Sequence, residues 1–445
     1  MIKSTLLIGL GKTGFSIARF LKSNQKAFIA YDTRSKPPEL EKFQEMFPDV
    51  TCYCHDYPHD LLEHVDKIIC SPGVPLHEEI LQEAMAKGIL IENDLDCLMR
   101  LINAPVIGIT GSNGKSTVTT LVGLMCQAQG FKTAVGGNLG TPVLELYEQN
   151  PQADIWVLEL SSFQLLHMQN TRLSAATILN VSADHIDYHG SMEAYVAAKQ
   201  RIYEQTEMLI FNRHDELTLP KIHAKHQESF GLSQPEKYQW GVIQTAQGEA
   251  IAFEDEIFIL TKDLKLQGHH NWLNVMASCA LARYVGVSKS TMIQVLQEFS
   301  GLAHRTQWVA HTKGVTYIND SKGTNLGATF AALEGMGPTL KGQMILIAGG
   351  QAKGADLTAI RPLLEKYVRH VVLIGQDADL ISTQWHGAVS IERAASLKEA
   401  VDIASHHAKV GDMVLLSPAC ASLDMFKNFE DRGTQFMALV KGLNE

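Results

Sequence analysis

Residues 110–117, with the sequence TGSNGKST, have the residue types and spacing of a phosphate-binding loop. An apolar strand pattern over residues 105–109 precedes the loop, and a helical pattern follows it. The N–H groups of such a loop point at phosphate oxygens, and the following helix adds about half a positive charge. Lys115 can reach the β- and γ-phosphates of ATP, and the Ser116 hydroxyl can bind Mg²⁺. The spacing predicts an ATP site, although the strict pattern has glycine where Ile109 stands. The alternative is a glycine turn with a chance Gly-Lys-Ser.

Two further polar residues follow buried strand patterns in the same part of the chain. Glu159 ends the apolar run from residue 155, and His185 lies shortly after the run at residues 175–180. Sites in open α/β sheets gather at the carboxyl ends of strands, so both residues are predicted to lie near Gly111. Glu159 is placed like the metal-binding carboxylate of a phosphate-loop enzyme. The alternatives are a strand-end carboxylate facing water and an ordinary surface histidine.

A second glycine loop, GLGKTG at residues 9–14, lies directly after the first strand pattern. Asp32 follows at the end of the next strand pattern, as in a dinucleotide-binding fingerprint. The glycines permit a tight turn, and the start of the following helix attracts phosphate. NAD, FAD and UDP-sugars all remain candidate ligands, so a nicotinamide-dependent oxidoreductase is one alternative function. That alternative leaves residues 110–117 without a task.

Three loops of small and polar residues follow strand patterns in the last third of the chain. They are residues 320–325, 349–354 and 417–422, and two of them contain a lysine. Each could be a simple turn, but three in one domain indicate a rim that binds an anionic ligand. Arg305 lies just before this region. Lys199, in contrast, lies in a helical pattern with no distinguishing feature, and spacing alone predicts a solvated helix lysine.

The order of the elements predicts an α/β fold with mainly parallel sheets. With 445 residues the chain is too long for one hydrophobic core. We expect three domains, at residues 1–94, 95–301 and 302–445. The first and third are expected to be Rossmann-like, and the central one to be a phosphate-loop ATPase-like domain with a mostly parallel sheet. Residues 209–265 carry several short strand patterns and suggest a small extra sheet.

The composition indicates which kinds of partner the protein binds and in which compartment it works. The formal net charge is −10, and no run of lysine and arginine is long enough to follow a nucleic-acid backbone. No apolar run suits a membrane span, and the first residues do not form a signal peptide. The seven cysteines show no zinc-binding spacing, so we expect reduced structural thiols. We expect a cytoplasmic protein that binds neither nucleic acid nor membrane.

The chain resembles the Mur ligase family over essentially its whole length. The resemblance rests on motifs that occur in order at residues 108–117, 158–164, 180–187, 304–305 and 319–325. The family's phosphate loop has the same form as residues 110–116, which accounts for the missing glycine. Within the family the chain is most similar to the members that add D-glutamate, through residues 417–429, 9–14 and 32–34. The Asp-Asn-Pro-Arg signature of the diaminopimelate-adding members is absent.

The resemblance implies an ATP-dependent ligase that adds D-glutamate to UDP-N-acetylmuramoyl-L-alanine through an acyl phosphate and a tetrahedral intermediate. A sibling amide ligase with another amino acid is the nearest alternative. The cofactors implied are ATP and Mg²⁺ at two sites, with carbamylated Lys199 as a metal ligand beside Ser116, Glu159 and His185. The catalytic residues implied are Lys115, His185 and Lys199. We expect a monomer.

The resemblance also assigns the binding residues. Those for ATP are Gly111, Ser112, Asn113, Gly114, Lys115, Ser116, Thr117, Asn271, Arg305, Asp320 and Lys322. Those for the UDP-linked substrate are Gly11, Thr13, Gly14, Asp32, Thr33, Gly73, Asn138 and His185, and those for D-glutamate are Thr324, Lys353, Ser422 and Phe429. The chain departs from the family's usual text at Gln351, where an acidic residue is more common, and this puts one local contact in doubt.

Overall fold

The computed structural model of the chain describes residues 4–170, 172–222, 225–266 and 268–443. The chain folds into two compact units. The first contains Met1–Leu260 and Leu273–Leu296, and the second contains Thr261–Trp272 and Gln297–Glu445. None of the helices in the described ranges combines the length and apolar character that a membrane crossing requires.

The first unit begins with a five-stranded parallel sheet of order β3-β2-β1-β4-β5. Its strands are β1 (Ser4–Ile8), β2 (Phe28–Asp32), β3 (Cys52–Cys54), β4 (Val65–Cys70) and β5 (Leu90–Glu92). Its helices are α1 (Lys12–Ser23), α2 (Leu40–Met46), α3 (Glu79–Ala86) and α4 (Asp94–Leu101). The strand order is that of a Rossmann-like half, and the predicted strands before the first glycine loop and before Asp32 are confirmed.

The same unit continues with a nine-stranded sheet of order β14-β13-β12-β11-β10-β9-β6-β8-β7. Its strands are β6 (Val106–Thr110), β7 (Thr133–Gly137), β8 (Ile155–Glu159), β9 (Ala175–Ile178), β10 (Met208–Asn212), β11 (His226–Phe230), β12 (Gln239–Thr245), β13 (Gly248–Phe253) and β14 (Glu256–Leu260). The helices are α5 (Lys115–Ala128), α6 (Val143–Gln149), α7 (Ser162–His167), α8 (Ile186–His189), α9 (Met192–Gln200), and most of α10 (His269–Tyr284) and of α11 (Lys289–Glu298).

The prediction of a small extra sheet at residues 209–265 is wrong. Strand β10 pairs in parallel with β9, and β11 and β12 continue the parallel pairing. Only β13 and β14 are antiparallel, at the outer end of the sheet. These strands therefore extend the central sheet, because β9 leaves an unpaired edge whose backbone groups β10 satisfies.

The second unit contains a six-stranded sheet of order β15-β16-β20-β17-β18-β19, parallel except for β15. The strands are β15 (Gln307–Thr312), β16 (Val315–Asn319), β17 (Met344–Gly349), β18 (Val368–Ile374), β19 (Ser390–Arg393) and β20 (Met413–Leu416). The helices are α12 (Leu326–Met336), α13 (Arg361–Tyr367), α14 (Ala378–Trp385), α15 (Leu397–His407) and α16 (Phe429–Gly442). Apolar residues on both faces of the sheet form its two cores.

Glycines allow helix α1 to pack directly against the end of β1. A Cβ atom on Gly14 would lie 1.7 Å from the carbonyl oxygen of Gly9, so only glycine fits there. Gly9 itself has a φ of 93°. A Cβ atom on Gly11, in the same loop, would meet no atom within 4 Å.

We expect Gly14→Ala to lower the free energy of unfolding by about 1–3 kcal/mol, because the added methyl group overpacks the turn. Gly11→Ala is the matched control, and it should change the same quantity by less than about 0.5 kcal/mol. Urea denaturation followed by circular dichroism measures both. Equal effects of the two substitutions would contradict the close packing of α1 on the loop.

Candidate functional site

Two glycines of the loop after β6 adopt backbone conformations that other residues rarely take. Gly111 has a φ of 149° and Gly114 a φ of 84°. A Cβ atom on Gly114 would lie 2.4 Å from the Oδ1 atom of Asn274. Gly114 ends the loop as the residue before α5, and Ser116 and Thr117 are buried in the first turn of that helix. The loop is thus shaped so that backbone N–H groups gather at the start of a helix, as a phosphate site requires.

The segment after β9 holds this loop in place. The Ser112 N–H donates to the Asn180 carbonyl oxygen at 2.9 Å. The Asn113 N–H donates to Asn180 Oδ1 at 2.9 Å, and Asn180 Nδ2 returns a bond to the Asn113 carbonyl at 3.0 Å. The Ser182 N–H donates to Ser112 Oγ at 2.9 Å. Asn180 was not among the predicted site residues, although its position shortly after a buried strand was a usable signal.

Two lysine amines meet at the carbonyl oxygen of Gly111. Lys115 Nζ donates to it at 2.8 Å and also to the Ser112 carbonyl at 3.0 Å. Lys199 Nζ donates to the same Gly111 oxygen at 3.0 Å and lies 4.6 Å from the centre of the Tyr195 ring. The side chains come from different helices, α5 and α9, and converge on one backbone atom.

Spacing alone predicted a solvated lysine at position 199, and this prediction is wrong. Lys199 is only 2% exposed, because α9 turns its Tyr195 and Lys199 side toward the protein interior. Burial, together with the nearby Lys115 charge, holds the pKa of Lys199 well below its usual value, against the opposing influence of Asp184 and Glu159. The neutral, nucleophilic form of this amine is therefore easier to reach than that of a lysine in water.

Glu159, the last residue of β8, has one bonded and one unpartnered carboxylate oxygen. Its Oε1 atom accepts a hydrogen bond from Asn138 Nδ2 at 2.7 Å, and the Asn138 N–H donates to the Glu159 carbonyl at 2.9 Å. Its Oε2 atom is buried without a hydrogen-bond partner among the described residues. A buried anionic oxygen left in this way is costly unless a cation meets it, so the residue fits a metal ligand.

His185 lies in the loop between β9 and α8. It has a φ of 54°, and its Nε2 atom is 3.7 Å from Asp184 Oδ2. Its ring contacts the ring of Phe163, in helix α7 after β8, with a centroid distance of 4.9 Å. The structure therefore brings His185 against the segment that follows Glu159. Asp184, which the analysis of the sequence did not single out, lies beside it.

The first glycine loop is fixed by the carboxylate of Asp32. Asp32 Oδ2 accepts a hydrogen bond from the Leu10 N–H at 2.6 Å, and the Arg34 side chain and N–H donate to the same carboxylate at 2.9 Å. Burial opposes the charge, but the hydrogen bonds from Arg34 and Leu10 outweigh it and lower the pKa of Asp32. Asp32 thus stays ionised and joins the ends of β1 and β2.

The other residues predicted to bind the UDP-linked substrate lie around that loop. Gly11 directly precedes α1, and Thr13 is in its first turn. Thr33 directly follows β2, and Gly73 is an exposed residue after β4. Lys12 Nζ donates to the Gly140 carbonyl at 2.6 Å, two residues beyond Asn138. Within the first unit, this contact joins the first glycine loop to the loop that carries Asn138.

In the second unit, Asp320 follows β16 and is almost fully buried. Its Oδ2 atom accepts a hydrogen bond from Ser417 Oγ at 2.7 Å, and its Oδ1 atom accepts one from the Thr306 N–H at 3.0 Å. Burial raises the pKa of Asp320 to about 6, against these hydrogen bonds and the nearby charge of Arg305. The carboxylate joins the loops after β16 and β20 and the segment that carries Arg305.

Lys322 and Phe429 are in direct contact. The Lys322 Nζ atom lies 3.8 Å from the centre of the Phe429 ring, a cation–π contact. The Thr324 N–H donates to the Lys322 carbonyl at 2.7 Å. Two residues predicted for D-glutamate, Thr324 and Phe429, thus adjoin one predicted for ATP. Asn271, also predicted for ATP, is buried in the first turn of α10.

Arg432, which was not among the predicted site residues, is a buried arginine that holds the loops after β16 and β20 together. Arg432 is 0% exposed; its Nε atom donates to Ser321 Oγ at 3.0 Å, and its Nη2 atom donates to the Ser321 carbonyl at 2.8 Å. The Cys420 carbonyl accepts further bonds from it at 3.3 Å. Burial lowers the pKa of Arg432 to about 10. Its position in helix α16 carries no local sequence signal.

The loops after β17 and β20 pair with each other. Gln351 and Ala421 exchange backbone hydrogen bonds of 3.0 Å in both directions, which places the first loop beside Ser422. Lys353 is exposed, with a φ of 51°. The Gln351 side chain reaches Gln376 Oε1 at 3.4 Å, so this unusual residue makes a local polar contact.

Three models of protein domains match the chain in order. They describe the Mur ligase MurD-like N-terminal domain at residues 3–92, the Mur ligase middle domain at 109–282 and the Mur ligase glutamate ligase domain at 304–420. Together they cover most of the chain and all three of its sheets.

Curated relatives match over nearly their whole length. The UDP-N-acetylmuramoylalanine–D-glutamate ligase of Legionella pneumophila (strain Lens) is 49% identical, over 98% of this chain and 99% of its own. The protein of the same name from Pseudomonas fluorescens is 44% identical over 98% of each chain. Among solved structures, a UDP-N-acetylmuramate-alanine ligase from Thermotoga maritima superposes with a TM-score of 0.60 at 18% identity, covering 99% of both chains, which shows a shared fold.

The raised pKa of Asp320 makes the stability of the chain depend on pH. The folded chain binds this proton more tightly than an unfolded aspartate with a pKa of 3.8. The resulting stability is complete below about pH 4 and is lost as the pH rises through about 6. Relative to Asp320→Asn, which mimics the neutral acid, the wild-type free energy of unfolding should fall by about 3 kcal/mol across this range. Urea denaturation at several pH values measures it, and a pH-independent difference would contradict the burial of this carboxyl group.

Proposed function

Because the chain belongs to the Mur ligase family, we propose that it joins D-glutamate to UDP-N-acetylmuramoyl-L-alanine at the expense of ATP, in peptidoglycan precursor synthesis. It is an ATP-dependent acid–amino-acid ligase. The proposal rests on the corner after β6. A glycine loop and two lysine amines meet there, near a buried carboxylate with one oxygen that lacks a hydrogen-bond partner among the described residues. This arrangement suits phosphoryl transfer.

The chemistry explains why ATP is needed. A carboxylate does not react with an amine in water, because its carbonyl carbon is a poor electrophile. An oxygen of the L-alanine carboxylate attacks the γ-phosphorus, ADP leaves, and an acyl phosphate forms. The D-glutamate amine then attacks the carbonyl carbon and loses a proton, and the tetrahedral intermediate expels phosphate. The protein contributes mainly positioning and charge neutralisation.

The loop and its neighbours hold the nucleotide in this proposal. Lys115 leaves the carbonyls of Gly111 and Ser112 and meets the β- and γ-phosphates, while N–H groups at the start of α5 bind phosphate oxygens. The family resemblance also assigns Asn271, Arg305, Asp320 and Lys322 to ATP. Asp320 makes its contribution through the loops that it joins, since both of its oxygens are bonded within the protein.

We assign two Mg²⁺ sites to this corner. Ser116 and Glu159 would hold one ion, and His185 and carbamylated Lys199 the other. When bound, Mg²⁺ neutralises the negative charge of the phosphates. The unpartnered Oε2 atom of Glu159 and its burial support the first assignment.

The burial of Lys199 and its lowered pKa support carbamylation. The lone pair of the neutral amine attacks the carbon of CO₂, the nitrogen loses a proton to solvent, and a carbamate anion results. Lys115 attracts this anion, whereas it repels the protonated amine. The catalytic residues of the proposal are Lys115, His185 and Lys199.

The remaining assignments follow the family. The UDP-linked substrate is assigned to Gly11, Thr13, Gly14, Asp32, Thr33, Gly73, Asn138 and His185, and D-glutamate is assigned to Thr324, Lys353, Ser422 and Phe429. The domain bounds of the proposal are residues 1–94, 95–301 and 302–445. The proposal includes a cytoplasmic location and a monomeric enzyme.

We expect phosphate release from ATP with UDP-N-acetylmuramoyl-L-alanine only when D-glutamate is the amino acid. Lys115→Ala should lower the rate by about 100-fold or more, since it removes a charge aimed at the transferring phosphoryl group. Lys398→Ala, which changes an exposed lysine paired with Asp402, should leave the rate unchanged. Coupled phosphate assays with each amino acid and its enantiomer measure this. Equal rates with L-glutamate would overturn the assigned substrate, and a preference for another amino acid would favour a sibling ligase.

We expect wild-type protein equilibrated with ¹³C-labelled bicarbonate to show one carbamate signal by ¹³C NMR. Lys199→Arg should abolish the signal, because a guanidinium does not provide a neutral amine. Lys398→Arg is the matched control and should retain it. A carbamate signal that persists in Lys199→Arg would place the modification elsewhere and refute this assignment.

A further inference from the structure

A histidine–glutamate–histidine cluster lies at the edge of the sheet in the second unit. It contains His370 of β18, Glu392 of β19 and His407, the last residue of α15. The Glu392 Oε2 atom is 3.2 Å from His407 Nε2 and 3.6 Å from His370 Nε2. One ligand atom from each residue lies within 4.8 Å of the others. Two neighbouring strands and the helix after them thus present nitrogen and oxygen donors to one point.

The inner histidine has an unused donor atom. The side chain of His370 is only 5% exposed, and its Nε2 atom has no hydrogen-bond partner among the described residues. Its other nitrogen, Nδ1, lies 3.1 Å from Ser390 Oγ. With Nδ1–H donating to the serine, Nε2 keeps its lone pair and faces Glu392. A buried nitrogen is rarely left unsatisfied, and an outer hydrogen bond of this kind is what orients metal-binding histidines.

We propose that His370, Glu392 and His407 bind a divalent transition-metal ion, with Zn²⁺ the best match. Two imidazole nitrogens and one carboxylate are a common ligand set for zinc, and water can complete the coordination. The carboxylate–imidazole separations are close to the spacing of atoms that share a small ion. Hard ions such as Mg²⁺ prefer oxygen ligands, which separates this cluster from the corner after β6.

Metal binding requires one local change in the cluster. The two imidazole rings are stacked, with centroids 3.8 Å apart and an angle of 15° between their planes. An ion bound through the lone pairs of both rings needs the rings to open. His407 is at the end of α15 and its side chain is 36% exposed, so it is free to turn, while His370 stays fixed. The bound ion would then tie α15 and the edge strand β19 to β18.

Zn²⁺ titration of the full chain by calorimetry tests the proposal, with Mg²⁺ in excess so that oxygen-rich sites stay filled. The double variant Cys52→Ser/Cys54→Ser serves as the parent, because that pair of thiols could also bind zinc. We expect one equivalent to bind and to raise the melting temperature, and EDTA to reverse the shift. His407→Ala in this background should weaken binding by about tenfold or more.

Two further variants make the outcome decisive. Glu392→Gln keeps the shape of the side chain and removes the charge, and it should also weaken binding. His406→Ala changes the exposed neighbour of His407 on the same helix and should leave the affinity unchanged. The proposal is overturned if the parent does not take up Zn²⁺, or if His407→Ala and His406→Ala bind it equally. These readouts do not depend on ligase activity, so failure here leaves the proposed function untouched.

Discussion

The central constraint on this structure is that one backbone oxygen, that of Gly111, accepts hydrogen bonds from two lysine amines. Lys199 is the more deeply buried of the two, and its burial, together with the repulsion from Lys115, lowers its pKa. Lys115 donates to the carbonyl groups of Gly111 and Ser112 and so ties the start of α5 to the loop. A phosphate group offers Lys115 a better electrostatic partner than these carbonyl oxygens.

This corner exists because β8, β6 and β9 are adjacent and parallel. Their carboxyl ends lie side by side, so Glu159, Gly111 and Asn180 meet although about fifty or more residues separate some of them. Hydrogen bonds then cross between the strand ends, from Thr110 Oγ1 to the Leu160 carbonyl and from the Ser112 N–H to the Asn180 carbonyl. Contacts within the protein therefore fix the backbone of this corner. Such preorganisation is the condition under which charged groups contribute most to catalysis.

The order of elements was predictable because apolar runs of strand length alternate with helical patterns, and each glycine loop marks a strand end. Membership of residues 209–265 in the central sheet was not predictable, because it depends on an unpaired edge of β9 that local pattern does not reveal. The burial of Lys199 and Arg432 was likewise hidden. Each is a basic residue in a helical sequence pattern. These side chains point inward because α9 and α16 pack against loops that are distant in sequence. Only the resemblance to a family assigned Lys199 to the site, because the local sequence pattern predicted a solvated residue.

The strand-end carboxylates of Asp32, Asp320 and Glu159 differ in how many of their oxygens are bonded to protein donors. Asp32 and Asp320 follow or end a strand in their sheets, and both oxygens of each are bonded to protein donors. Glu159 occupies the equivalent position in the central sheet, but one of its oxygens is buried without a partner. Leaving an anionic oxygen unsatisfied is costly, and a cation that met the Glu159 oxygen would remove that cost. The hydrogen bonds of Asp32 and Asp320 hold loops together, whereas Glu159 presents an oxygen that fits a metal ligand.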